Sequence, residues 1–112
     1  MERQAYLKRI KEHLKGAYLL NDAKAAAMLP VFIATLESHV DRLTTLAESG
    51  DMLQLSRAGH ALKGALLNMG LPDLAATAHA LEKNSANQTC SPACQELIIQ
   101  LRDAVSLLSG KR

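Results

Sequence analysis

In this 112-residue chain, His60 is the residue whose type and neighbours could do chemistry. Arg57 precedes it by one helical turn, and Lys63 and Gly64 follow it by one. A neutral imidazole is a competent nucleophile near pH 7, because its unperturbed pKa is about 6.5. A lysine one turn away can offset negative charge that develops during its attack. Set His60 at zero on a helix of 100° per residue, and Leu55, Ala58, Leu62, Ala65 and Met69 fall within about 40° of the opposite side. They form a core stripe, and His60 points away from it. Leu53 and Leu67 lie two turns away on the exposed face and could frame an apolar docking surface. Gly64 costs about 1 kcal/mol relative to alanine inside a helix. A missing side chain beside an exposed histidine lets a partner approach the backbone. A weak helix position with stray surface leucines gives the same pattern.

The other histidines lack a lysine-glycine companion. His13 is expected on the exposed side of the first helix. His79 falls beside the apolar stripe of the fourth as a partly buried polar tip. His39 is expected near His60 across the second and third helices. Ordinary packing or surface roles are expected for each. Cys90 and Cys94 flank Ser91-Pro92-Ala93. One such pair is not a secreted-type disulfide framework, and a zinc site needs about four ligands. The two read as thiols near a helix start in a reducing compartment, and no metal site is expected.

The elements that carry these residues follow from apolar spacing. A first helix over about 2–19 aligns Tyr6, Leu7, Ile10, Leu14 and Ala17. Asn21 or Asp22 caps a second, with Met28, Leu29, Phe32, Ile33, Leu36, Val40, Leu43 and Ala47 on one stripe. Pro30 should kink that helix or split off a leading turn. Gly50 suits a left-handed C-cap and Asp51 the next N-cap. The third helix runs over about 52–69 until Gly70 stops it, and Pro72 opens the fourth, which frays near Asn84. Asn84 to Thr89 is polar and turn-like. Ser91 caps a fifth helix with Pro92 at its first position, burying Leu97, Ile98, Leu101, Val105 and Leu108. Gly110-Lys111-Arg112 reads as a frayed tail. Short loops favour antiparallel neighbours. The expected fold is all-α: one domain over residues 1–112, an antiparallel up-and-down four-helix bundle over about 22–109 with an additional N-terminal helix.

Composition narrows the function. The net charge is +2, from 13 basic and 11 acidic residues, too balanced to imply nucleic-acid binding. With no Trp, two Tyr and one Phe, base-stacking platforms are not expected. No apolar run approaches the roughly 20 residues of a membrane span, and the first residues show no signal-peptide apolar region. A cytoplasmic domain without membrane contact is expected, free-standing or part of a larger protein.

The run His60-Ala61-Leu62-Lys63-Gly64, followed by Gly70, resembles the signature of histidine phosphotransfer (HPt) domains: His, Lys at i+3, Gly at i+4 and a second Gly at i+10. Leu74, Ala78 and Leu81-Glu82 fit that family's next helix. The resemblance spans roughly Met28 to Glu82 strongly and the flanking helices loosely. It implies that His60 is phosphorylated on Nε2, that Lys63 supports charge and that Gly64 leaves room for a partner. Arg57, Gly64, Leu67 and Leu53 are the expected docking residues. It further implies response-regulator receiver domains and a hybrid sensor histidine kinase as partners, with a phosphoaspartate donating to His60 and a second aspartate accepting. No Gly-rich phosphate loop, kinase signature or acidic cluster for magnesium is present. The expectation is therefore a monomeric phosphoryl carrier with no ATP site, no kinase activity and no cofactor of its own, the magnesium being held by the receiver. A hydrogen bond to Nδ1 would fix the imidazole tautomer, but spacing does not identify its partner.

Three other readings compete. An interaction module of the same fold without phosphotransfer would have lost His60 or Lys63. A kinase dimerisation hairpin supplies two helices per chain, whereas four or five amphipathic helices are present here. A helix-turn-helix DNA binder needs a basic, base-reading helix, and the third helix exposes leucines instead.

Overall fold

The computed structural model of the chain describes residues 2–85 and 91–110. Five helices make up these residues: α1 (Glu2–Tyr18), α2 (Asp22–Ser49), α3 (Met52–Asn68), α4 (Pro72–Ser85) and α5 (Pro92–Ser109). No strand occurs among them, so the chain is an all-α bundle as expected.

The helix ends follow local chemistry. Asn21 accepts from the Lys24 amide, Asp51 from that of Gln54 and Ser91 from that of Cys94, each side chain satisfying a first-turn donor. Gly50 ends α2 at φ 78°, its amide donating to Ala47 and Leu46 carbonyls. Pro30 splits off no leading turn, because α2 is continuous from Asp22 to Ser49. Gly110 is not part of a loose tail. It closes α5 in the left-handed conformation with its amide on Leu107 and Ser106. Lys111 and Arg112 lie outside the described residues, as do Cys90 and most of the turn anticipated over Asn84–Thr89. Its first two residues belong to α4.

Helices α2 to α5 pack in a closed ring, each against the next and α5 against α2, with the most extensive contact between α3 and α4. At 1.5 Å per residue the 28 residues of α2 reach about 42 Å, which accounts for the 44 Å long axis of the molecule. Leu36, Leu62, Met69 and Leu101 are buried at the centre together with Leu43, Leu55, Leu66 and Leu81. Cys94 also belongs to this core. Leu62 is completely buried, so Leu62→Ala should lower the unfolding free energy by about 2–5 kcal/mol in urea titrations. A loss below about 1 kcal/mol would place this residue outside a tightly packed core.

Between α1 and α2 the chain direction turns by 114°. Helix α1 therefore crosses one end of the bundle instead of running along it. Ile10 and Leu14 are its buried residues, while Ala17, expected on the same stripe, is exposed. Arg9 bonds Asp73 at the start of α4 at 3.1 Å, and Lys15 pairs with Asp22 at the start of α2 at 2.8 Å. His13 is half-buried, not exposed, because it lies on the α3–α4 turn. A Cβ on Gly70 would come within 2.5 Å of its ring, and Gly70 itself has φ +76°. That position admits only glycine on both counts.

Candidate functional site

His60 lies midway along α3 with its side chain 67% exposed. Its neighbours come from α4, whose tight packing on α3 brings Glu82 beneath the ring. Glu82 Oε2 lies 3.2 Å from His60 Nδ1, and Oε1 lies 3.4 Å from Lys63 Nζ. Lys63 Nζ in turn is 3.4 Å from His79 Nδ1, and His79 Nδ1 is 3.7 Å from Glu82 Oε1. Four polar side chains from two helices thus form one cluster around a single carboxylate.

The charge state of that carboxylate decides the rest. Partial burial pushes the Glu82 carboxyl upward, but the hydrogen bond from His60 and the charges of Lys63 and His60 outweigh it. Glu82 titrates below its ordinary 4.5 and is ionised at neutral pH. An ionised carboxylate only accepts hydrogen bonds. Nδ1 of His60 must therefore carry the proton, and the lone pair of the neutral ring resides on Nε2. Nε2 has no hydrogen-bond partner among the described residues. By the same logic Lys63, which only donates, makes Nδ1 of His79 an acceptor.

A depressed carboxylate pKa contributes stability above the unfolded pKa, and that contribution disappears as pH falls through the folded one. The cluster should accordingly hold at neutral pH and come apart below pH 4.5. A carboxyl-carbon NMR titration of Glu82 should show a midpoint under 4.5, and Lys63→Ala should move it upward. A midpoint unmoved by Lys63→Ala would remove the lysine from the cluster.

The two flanks of α3 differ. With His60 at zero, Lys63 lies about 60° to one side, over α4, while Gly64 and Arg57 lie about 40° and 60° to the other, toward α2. The α4 flank is filled by Glu82 and His79. On the α2 flank Arg57 and Ala61 are exposed, and nothing lies within 4 Å of a Cβ built on Gly64. Leu53 and Leu67 are 62% and 49% exposed above and below His60. Arg57 makes no hydrogen bond or ion pair among the described residues and does not join the cluster. His39 is half-buried, held below the ordinary histidine range by burial and then by Arg42, and no hydrogen bond links it to His60.

Glu82 and His79 are site residues that local spacing around His60 does not identify. Instead of a lone polar tip, His79 is an exposed partner of Lys63. The i, i+3 spacing of His79 and Glu82 puts both on one face of α4 and was the available signal. Among the described residues no three His, Cys, Asp or Glu side chains gather as a metal ion would need.

Comparison with known proteins adds one match. The family model described as Hpt domain matches residues 27–111, from the first third of α2 through α5. No curated protein and no solved structure matches significantly. Among the described residues no single helix is long and apolar enough to cross a membrane.

Proposed function

Since the chain belongs to the Hpt domain family, whose general role is histidine phosphotransfer in phosphorelays, we propose that it carries a phosphoryl group on His60 Nε2 between receiver-domain aspartates. The observation that supports this most strongly is the Glu82–Nδ1 hydrogen bond beneath an exposed ring, which leaves the Nε2 lone pair outward.

The transfer balances as follows. The Nε2 lone pair attacks the phosphorus of an aspartyl phosphate. The Nε2–P bond forms as the P–O bond to the aspartate breaks, and the carboxylate leaves with that electron pair. Nδ1 keeps its proton, so the phosphorylated ring is an imidazolium. Glu82 lies against that cationic ring and stabilises it. Lys63 faces the charge of the incoming phosphoryl oxygens. The second transfer reverses these steps onto another aspartate. Magnesium in this scheme is the receiver's own, and the chain contributes the nucleophile and its orientation.

The receiver docks from the α2 side of α3, over Gly64 and Arg57, with Leu53 and Leu67 as apolar contacts above and below. The α4 side is already occupied by Glu82 and His79. A hybrid sensor kinase is the source of the phosphate, and the carrier acts as a cytoplasmic monomer.

The test is to incubate the protein with a phosphorylated receiver and follow the label. Acid-labile, base-stable label on the chain is expected. Receiver binding without any label would leave an interaction module of the same fold and overturn the carrier reading.

A further inference from the structure

Glu82 sits in the last described turn of α4, three residues before Ser85. Two residues of α3 outside the polar cluster hold the backbone of that turn. Ser56 Oγ donates to the Glu82 carbonyl oxygen at 3.0 Å. Gly59 is buried, and a Cβ there would meet Glu82 N at 3.3 Å and both Glu82 Cα and Ala78 O at 3.5 Å. Ser56, Gly59, His60 and Lys63 are spaced i, i+3, i+4 and i+7 and form one stripe. Along that stripe, the missing side chain of Gly59 leaves room for the Glu82 backbone, Ser56 bonds its carbonyl, His60 Nδ1 meets Oε2, and Lys63 Nζ lies at ion-pair distance from Oε1.

We infer that Ser56 and Gly59 are positioning residues: they clamp the backbone of Glu82 so that its carboxylate meets His60 Nδ1 and fixes the imidazole tautomer. Neither touches the reacting nitrogen. Gly59 sets how closely α4 approaches, and Ser56 pins the turn in register. Ser85 also donates to the Glu82 carbonyl, at 3.3 Å, but it rides on the same turn and cannot tie that turn to α3. The consequence for transfer rests on the carrier reading above, whereas the tautomer does not.

The experiment measures the ring ¹⁵N shifts of His60 in the unphosphorylated protein at neutral pH. The parent should show a protonated Nδ1 and an unprotonated Nε2. Glu82→Ala sets the limit in which that preference is lost. Ser56→Ala should move the shifts toward that limit with helical content unchanged, and Ser56→Thr, which keeps the hydroxyl, should restore them. Gly59→Ala, whose Cβ displaces the Glu82 backbone by a few tenths of an ångström, should move them the same way. Phosphotransfer should slow roughly tenfold in Ser56→Ala, as expected when a reactive group is misplaced by a fraction of its working geometry. Parent-like ring shifts in both Ser56→Ala and Gly59→Ala would overturn the inference, and so would slowed transfer with an unmoved tautomer. If the shifts move while no variant, parent included, accepts phosphate, the clamp stands and the carrier reading falls.

Discussion

His60→Gln is expected to keep the parent's helical content and to take up no phosphate from a phosphorylated receiver. The side chain lies outside the core at 67% exposure, so its replacement leaves no cavity. Glutamine keeps a polar group that can face Glu82 but offers no basic lone pair to phosphorus. Labelling should fall to background, the largest effect any single substitution here should have. Acid-labile phosphate retained in the variant would move the acceptor to His39 or His79. Of these, His79 is better placed, since it shares Lys63 and Glu82 with His60.

Gly64 separates the fold from the docking step. Nothing lies within 4 Å of a Cβ at this position, so Gly64→Ala should fit without movement. Removing glycine from a helix interior should then stabilise the fold by up to about 1 kcal/mol. Gly64→Gln should fold equally well, but its side chain would stand on the α2 flank beside His60, where the proposed docking brings the receiver within bonding distance. Transfer should fall on the order of a hundredfold, the penalty of holding reactants about an ångström out of line. Lys63→Ala should act differently: it adds no bulk, so receiver affinity should survive while the transfer rate or phosphohistidine lifetime falls. Titrating receiver binding and timing transfer for both variants distinguishes sterics from charge. Parent-like binding and transfer by Gly64→Gln would show that this flank is not the docking surface.

The bundle was legible because each helix carries its own evidence. Asn21, Gly50, Asp51 and Ser91 mark ends through local hydrogen bonds, and Pro92 through its fixed φ, none of which needs tertiary context. The i, i+3, i+4 stripes then assign the buried faces, and the exposed position of His60 follows from the α3 stripe alone. What remained hidden depends on contacts between helices. Glu82 is 22 residues from His60, and only the α3–α4 register brings them together. Gly59 carries no signal in the sequence, because what it accommodates, the backbone of another helix, is invisible in local spacing. His13 was misread for the same reason: its burial comes from α1 crossing the bundle end, which no periodicity within α1 reports.

The division of α3 into two flanks has an evolutionary consequence. On one side of the helix stand Glu82 and His79, and on the other Arg57, Ala61 and Gly64 face outward. With the receiver docked as proposed, reactivity and partner choice are written on separate strips of the same helix. A duplicated copy can exchange one partner for another through changes on the outward strip while the imidazole keeps its tautomer. Insulation from unwanted cross-talk can be gained in the same way, without passing through an inactive intermediate.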